Sequence, residues 1–481
     1  MSCRPAKISK NASLRGILSR PRPLRPTSLK NSGPEPGQPM NGQPDPDYPA
    51  RCQAASHSCA GWRGLSGPIC LHGRLVSLQG ERGRIQDLSG AADFHLNQPG
   101  VGQVGDIVEL RGQAGNQIVE QGQLSRLVPA RHDPFAGGDW PRFQANGGLL
   151  HKRLALRSAI LQAIRQFFLQ RDFIEVETPA LVEAPGQEAH LQHFQTRYRG
   201  GAGRPLYLIT SPEHHMKRML AAGCERIFQM GRCFRNGERS PLHNPEFTMV
   251  EWYRAYASYR EICADTQDLC AFVARQVLGR TTVEYGGRSV DLAQPWKRIG
   301  VHEALAQYAG VDLRRCRSAQ QLRQAALQAG HASMGPEDSW DDMFFKLLIE
   351  RVEPALAQEG AVFLQDYPAR QGALAKRKAD WADVAERVEG FLAGLELANG
   401  FTELNDPAEQ RQRFTAEARV RLAAGHGTIP LDEDFLDALQ RGMPPAGGMA
   451  LGVDRLIMVL TGAEHIDEVL AFPLRVEEGL S

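Results

Sequence analysis

The chain has 481 residues and a formal net charge of +1, with 56 Lys and Arg against 55 Asp and Glu. This length allows two or three domains, and the balanced charge indicates no polyanionic partner for the chain as a whole. No run of about eighteen apolar residues occurs, which excludes a transmembrane helix. The nine cysteines are scattered without a CxxC pair, which suits a reducing cytoplasm better than a disulfide framework or a zinc site.

Residues 1–60 form a basic, proline-rich segment with eight Lys or Arg before the first acid, Glu35. The segment has too few apolar residues to bury a core, so we predict a disordered tail. Its composition also resembles an organelle transit peptide, although a plain basic tail or a mistaken start codon is favoured.

Residues 62–130 contain five short alternating runs between glycine-marked turns, which predicts a small β-barrel. The segment contains six arginines and six acids, so its charges balance, and its aromatic residues are Trp62 and Phe94. Barrels that bind nucleic-acid strands use basic grooves and stacking aromatics. The composition therefore favours a structural or protein-docking role over nucleic-acid binding.

Residues 131–147 have the composition of a linker, and residues 148–481 mix long helices with strands. We predict one α+β domain there. Residues 151–170 have the spacing of an amphipathic helix, and FIEVETP reads as a short strand stopped by Pro179. In TSPEHHMKRMLAAG, Ser211 precedes a helix whose first turn carries Glu213, which alone could simply complement the helix dipole.

The runs RIFQMGRCFRN and EFTMVEWYR predict an antiparallel hairpin. Its alternation places Glu251 in the row of Phe247, Met249 and Tyr253, where apolar residues are expected. Arg235 shares that open face, and an ordinary cross-strand ion pair would explain the two charges equally well.

Two further segments carry chemistry. In LELANGFTEL, Asn399, Phe401 and Glu403 share a face, while Glu396 has the opposite parity unless a bulge intervenes. Glu389 stands seven residues earlier, at the end of a predicted helix, and with Glu396 it offers carboxylates for a magnesium ion. In GGMALGVDRLIMVL, Arg455 opens an apolar helix from its first turn, where an anion is favoured.

These segments together resemble class II aminoacyl-tRNA synthetases. FIEVETP is similar to motif one, Arg235 with HNPEF to motif two, and ALGVDRL to motif three. The barrel is similar to the oligonucleotide-binding (OB) barrel that precedes the catalytic domain in several synthetases. Within the class, residues 148–476 resemble lysyl-tRNA synthetases and their shorter paralogues, ligases that attach (R)-β-lysine to elongation factor P. Ala450, where the synthetases have glycine, and a small neutral barrel in place of the large anticodon-reading domain favour the paralogue. These ligases usually lack any barrel, so the N-terminal third departs from their pattern and keeps tRNA binding open. The resemblance also implies a catalytic domain with an antiparallel sheet flanked by helices.

The resemblance implies ATP and Mg²⁺ as cofactors, a homodimer with motif-one Pro179 at its interface, and no membrane partner. It implies transfer of (R)-β-lysine to elongation factor P and argues against tRNA as the acceptor. The site residues that it implies fall into three groups. The pocket for the lysine-like substrate comprises Ser211, Glu213, Glu251, Tyr253, Asn399, Phe401, Glu403 and Ala450. The ATP site comprises Arg235, Asn236, Glu238, His243, Phe247 and Arg455, of which Arg235 and Arg455 are catalytic. The magnesium ligands are Glu389 and Glu396.

One position departs from the family pattern. The acid expected two residues after the motif-two arginine is Gly237 here, with Glu238 one step later. Two other hypotheses stay open: a compact lysyl-tRNA synthetase or other tRNA-directed lysine ligase, and a catalytically silent binding protein with a synthetase-like fold.

Overall fold

The computed structural model describes residues 55–200 and 203–475. The predicted tail therefore lies largely outside the described residues. Residues 55–60, which the sequence analysis assigned to that tail, instead contact the barrel. The backbone N–H of Cys59 donates to Asp87 at 2.9 Å, and the Cys59 side chain is buried.

The first five strands form a closed barrel, in the order β1-β2-β3-β5-β4. Alternate residues of each strand, such as Leu71 and Leu75, point into its core, and Trp62 and Phe94 are fully buried there. This is the five-stranded barrel that the sequence predicts. The strands are β1 (Gly67–Gln79), β2 (Arg82–Gln86), β3 (Ala91–Leu96), β4 (Ile107–Ala114) and β5 (Val119–Val128).

Helix α1 (Asp139–Leu169) begins inside the segment that the sequence analysis assigned to a linker, residues 131–147. Its backbone leaves helical geometry at residues 145–148, where Gly147 and Gly148 have positive φ, so two helices meet at a kink. The first of them is held to the C-terminal region, because Arg142 donates to the carbonyl oxygens of Leu470 and Asp467 at 2.7 and 3.2 Å.

An eight-stranded sheet forms the centre of the large domain, in the order β14-β15-β16-β17-β18-β11-β10-β6. The outermost pairs, β14–β15 and β6–β10, are parallel and the other neighbours are antiparallel. Smaller sheets pair β12 with β13 and join β7, β9 and β8. The strands are β6 (Ile174–Glu175), β7 (Leu181–Val182), β8 (Gln195–Arg197), β9 (Pro205–Leu208), β10 (Arg226–Phe234), β11 (Glu246–Ala255), β12 (Thr282–Tyr285), β13 (Arg288–Asp291), β14 (Lys297–Gly300), β15 (Ala361–Pro368), β16 (Val384–Leu392), β17 (Leu395–Thr402) and β18 (Ala446–Gly452).

Helices pack on both faces of this sheet, which confirms the predicted α+β fold. They are α2 (Glu213–Ala221), α3 (Tyr259–Leu278), α4 (Val301–Ala304), α5 (Ala319–Gln328), α6 (Trp340–Leu347), α7 (Glu353–Glu359), α8 (Pro407–Ala423), α9 (Glu433–Gly442) and α10 (Val453–Thr461). Within the described residues, no helix has both the length and the apolar character needed to cross a bilayer.

The alternation of strand β11 gives the sheet two different faces. Val250 and Trp252 are fully buried in the core that α1, α3 and α10 form on one face. Tyr253 belongs to a separate cluster with α2, α8 and α9, on the side where Glu251 also lies. The polar row is therefore enclosed by a second layer of helices rather than exposed.

The structure corrects one predicted element. Glu389 lies in the middle of strand β16, not at the end of a helix, and its strand neighbour is Asn399 of β17. The parity problem of Glu396 is resolved by a register shift, because Gly390 pairs with Ala398 while Phe391 pairs with Glu396. The extra residue, Leu397, forms a bulge that turns Glu396 toward the face of Asn399.

Candidate active site

Two adjoining cavities open on the polar face of the sheet. The larger, about 350 Å³, is lined by Ser211, Glu213, Glu251, Tyr253, Phe401 and Glu403 among others, and is here called the acidic cavity. The smaller, about 210 Å³, is lined by Glu238, His243, Phe247, Glu396 and Arg455 among others, and is called the arginine cavity. Both cavities share Arg235, Met249, Asn399 and Ala450 as lining residues.

Glu251 is buried and receives only hydroxyl donors. Ser211 donates to one carboxylate oxygen at 2.7 Å and Tyr253 to the other at 2.9 Å. The hydroxyl of Ser211 also accepts the backbone N–H of Glu213 at 3.1 Å, which fixes its position at the start of α2. Burial and the neighbouring Glu213 raise the pKa of Glu251 to about 8. A cationic group in the cavity would stabilise the ionised form of this carboxylate.

Lys217 supplies a cation that the sequence analysis did not identify. It is fully buried, and its Nζ lies 2.5 Å from both Glu213 and Glu403. Burial by itself lowers the pKa of Lys217, but Glu213 and Glu403 outweigh that effect and raise it. Lys217 follows Glu213 by four residues on the same helix, and this spacing in the sequence could have predicted the ion pair.

Glu403 is buried as deeply as Lys217. Burial, together with Glu213, raises the pKa of Glu403 to about 8 despite the nearby Lys217. Gly448 is needed beside it, because a Cβ at that position would lie 2.3 Å from Glu403 Oε1. Phe401 lies below the same cation, with Lys217 Nζ at 5.1 Å from its ring centroid.

A fourth carboxylate, Glu188, also lines the acidic cavity, and its loop position gave no periodic signal in the sequence. One of its oxygens is buried without a hydrogen-bond partner, and burial raises the pKa of Glu188. The amide oxygen of Asn399 is likewise buried and unpartnered. Ala450 of β18 pairs with Glu251 of β11 on one side and with Asn399 of β17 on the other, and it lines both cavities.

In the arginine cavity, the Arg235 guanidinium lies over the Phe247 ring, 5.2 Å from its centroid. Glu238 Oε2 is 3.7 Å from Arg235, and Glu238 lines the cavity. Gly237 has φ of 81°, a conformation that favours glycine, and the turn there places Glu238 toward the cavity. Asn236 is exposed and outside both cavities, with its backbone N–H bonded to Gln192.

Arg455 links the ends of three elements. It donates to the Glu396 carbonyl at 2.8 Å, to the Glu396 carboxylate at 3.2 Å and to His243 Nε2 at 2.7 Å. Burial and the adjacent Arg455 lower the pKa of His243. Because the Arg455 guanidinium can only donate, Nε2 of His243 accepts from it, and in that tautomer Nδ1 donates to Ser240 at 2.8 Å.

The predicted magnesium ligands belong to a cluster of three carboxylates. Glu389 accepts from Arg387 at 2.6 Å and Tyr367 at 2.5 Å, while Glu396 borders the arginine cavity. Burial and Glu396 raise the pKa of Glu389, against the effect of Arg387. Glu353, which the sequence analysis missed, has a pKa of about 7 because of burial and the charges of Glu389 and Glu396. Carboxylate oxygens are the ligands that Mg²⁺ prefers, so the chemistry of this donor set suits Mg²⁺. In the described residues the three carboxylates do not all lie within 4.8 Å of one another.

Comparison with known proteins shows the family of the chain. Residues 146–476 match the family described as tRNA synthetases class II (D, K and N). The chain belongs to this family. It is therefore an ATP-dependent amino-acid ligase that forms an aminoacyl-adenylate.

Individual relatives carry the name lysine–tRNA ligase. That of Moorella thermoacetica is 38% identical over 436 residues, which cover 84% of this chain and 88% of that protein. Those of Pelotomaculum thermopropionicum and Nostoc sp. are 42% and 40% identical, over 66% and 67% of this chain. The chain spans 62% and 57% of the length of these two relatives.

Replacing Lys217 by Met tests its role as the internal cation. The change leaves buried carboxylates without a partner, so we expect the free energy of unfolding to fall by about 3–5 kcal/mol at pH 8. The loss should shrink as the pH falls through about 8, because a protonated Glu403 needs no cation. Urea denaturation at several pH values measures both effects.

The matched control is Lys346→Met, which removes a partly exposed ion pair to Asp338. We expect it to cost no more than about 1 kcal/mol. Equal losses in the two variants would contradict the assigned role of Lys217.

Proposed function

We propose that this ligase activates (R)-β-lysine with ATP and transfers it to a lysine side chain of elongation factor P. The observation that carries the proposal is the acidic cavity, whose lining has more acids than cations. The acids are Glu188, Glu213, Glu251, Asp341, Glu403 and Glu417, against Arg235, Arg370 and Arg387, with Lys217 buried between Glu213 and Glu403. An amino acid with two ammonium groups would supply the missing positive charge, since an unpaired buried charge costs several kcal/mol.

The two cavities define how activation would proceed. The ammonium groups would pair with Glu251 and its neighbours, and the carboxylate would reach the junction beside Arg235. From there it would attack the α-phosphorus in line, with pyrophosphate as the leaving group.

Arg235 would stabilise the charge that develops on the α-phosphate, and Arg455 with His243 would hold the outer phosphates. Phe247 would pack against the adenine, with Glu238 taking the role of the displaced motif-two acid. Mg²⁺ held by Glu389 and Glu396 would neutralise phosphate charge.

The barrel supports a protein acceptor. Its two aromatic residues, Trp62 and Phe94, are buried in the barrel core, so neither offers a surface on which a base can stack. Two of its arginines are paired with acids of the barrel, Arg84 with Asp93 and Arg111 with Glu109. Ala450 also supports β-lysine, because its methyl group narrows the space where the amine-bearing carbon would lie.

A tRNA-directed lysine ligase is the second candidate. One observation favours it. The alignment with the Moorella lysine–tRNA ligase covers 84% of the chain, which is more than residues 146–476 contain. The similarity to a protein with that name therefore extends to residues before the family match, on the side of the chain where the barrel lies.

Amino-acid-dependent ATP–pyrophosphate exchange with (R)-β-lysine and α-lysine, followed by a transfer assay, separates these candidates. We expect β-lysine to be preferred and elongation factor P, not tRNA-Lys, to become labelled. Ala450→Gly should shift the preference toward α-lysine by roughly ten- to hundredfold, because one methyl group discriminates by about 1–3 kcal/mol. Preference for α-lysine with charging of tRNA would overturn the proposal, and exchange with neither would favour a silent binding protein.

The pH dependence of substrate binding tests Glu251. Its carboxyl group must lose a proton to pair with an ammonium group, and its pKa is about 8 in the empty cavity. The KM for the amino acid should therefore fall by up to about tenfold per pH unit between about pH 6 and pH 8. Pyrophosphate exchange across this range measures it.

Glu251→Gln should raise the KM by at least about thirtyfold, because the loss of a buried charge partner costs about 2–5 kcal/mol, and should flatten its pH profile. The control Glu246→Gln changes an exposed residue of the same strand and should leave the profile unchanged. A pH dependence of the KM in Glu251→Gln as steep as that of the unmodified protein would contradict the assignment.

Dimers are typical of this family, and we propose that the chain forms a homodimer through motif one. Strand β6 is an edge of the central sheet, and three large apolar side chains near it, Leu169, Ile174 and Leu181, are exposed. Ile174→Glu should place a charge in the interface and yield monomers by light scattering. The exposed Leu422 of α8 provides the control variant, Leu422→Glu, which should remain dimeric. A dimeric Ile174→Glu would place the interface elsewhere.

A further inference from the structure

Three different side chains with metal-ligand chemistry meet on one face of the barrel. Cys70 and His72 are two residues apart on β1, so they point to the same side. Glu109 of β4 lies directly opposite His72 in the strand pairing. No sequence motif marks this group, because Glu109 is 37 residues from His72 along the chain.

The three ligand atoms form a compact triangle. Glu109 Oε2 lies 3.1 Å from His72 Nε2 and 3.5 Å from Cys70 Sγ, and the two β1 atoms are 3.9 Å apart. A tetrahedral zinc ion with Zn–S of about 2.3 Å and Zn–N and Zn–O of about 2.0–2.1 Å separates such atoms by about 3.3–3.6 Å. The observed triangle therefore matches three corners of a zinc tetrahedron to within a few tenths of an ångström.

The surroundings of the triangle also suit a metal. Glu109 Oε1, the oxygen that faces away from the thiol, accepts from Arg111 Nε at 2.7 Å. Arg111 also donates from Nη2 to Oε2 at 3.3 Å. Zinc at Oε2 would displace this longer hydrogen bond, while the shorter one to Oε1 would still orient the carboxylate. Cys70 and His72 are only partly buried, which gives a metal access from solvent and room for a water in the fourth position.

We propose that Cys70, His72 and Glu109 bind a Zn²⁺ ion that links strand β1 to strand β4. Metal binding would release the thiol proton of Cys70 to solvent, and His72 would bind as the neutral tautomer that carries its proton on Nδ1, so that Nε2 is free to ligate. The site is separate from the cavities of the large domain and from the carboxylates that fit Mg²⁺. It does not depend on which amino acid the enzyme activates.

Zinc titration of the full-length, untagged protein tests the proposal. The protein is stripped with a chelator, and zinc is then added in competition with a chromophoric chelator while excess Mg²⁺ occupies the carboxylate cluster. We expect one tight zinc site per chain, with affinity reduced by at least about a hundredfold in both Cys70→Ser and His72→Ala. Circular dichroism verifies that the variants are folded.

The barrel offers a matched control in His95, which pairs with Glu81 at 3.5 Å and has no thiol in that pair. His95→Ala should bind zinc like the unmodified protein. Cobalt substitution gives a second readout, because a thiolate ligand produces a charge-transfer band in the near ultraviolet, which Cys70→Ser should remove. The proposal is overturned if no zinc binds, or if Cys70→Ser and His72→Ala bind it as tightly as the unmodified protein.

Discussion

The acidic cavity depends on one buried cation, Lys217. Its Nζ lies between Glu213 and Glu403, and without it these carboxylates would be enclosed with no positive partner. Lys217 offsets only part of the negative charge, because Glu188 and Glu251 line the same cavity. Burial and the charge of Glu213 raise the pKa of Glu251 to about 8, because its two hydroxyl donors and the nearby Lys217 offset only part of their effect. Lys217 therefore neutralises part of the buried negative charge in the empty cavity, while Glu251 has no cation as a direct partner.

Buried contacts between helices and the central sheet also fix the position of Arg455 in the arginine cavity. Asp454 at the start of α10 is buried, pairs with Arg157 of α1 at 2.5 Å and accepts the Thr248 backbone N–H of β11 at 2.7 Å. These bonds fix the first turn of α10 against β11, and Arg455 is the next residue. Helices α1 and α10, on the apolar face of the sheet, therefore position Arg455, which lines the arginine cavity on the polar face.

The sequence predicted most of the active-site face because strands have a period of two. Alternation alone placed Glu251 and Tyr253 on one face of their strand, and Asn399, Phe401 and Glu403 on one face of another segment. In the structure β18 lies between the two strands, and all five residues line the acidic cavity. Glu389 was assigned to a helix because RVEGFLAG fits helical and strand spacing alike. Pairing with β15 and β17 on either side decided for a strand. Glu188 and Glu353 were missed because each enters its cluster from a loop or helix that has no periodic relation to it.

By itself, the sequence determined the family, the α+β class, the small barrel and the rows of polar residues, because these follow from local periodicity and short motifs. The tertiary structure decided which charges meet: Lys217 with Glu403, Glu353 with Glu389 and Glu396, and Cys70 with Glu109 across the barrel. It also supplied the bulge at Leu397 that turns Glu396 to the site. These contacts join residues far apart along the chain, and their energies depend on burial and on distances of a few ångströms, which no spacing in one sequence encodes.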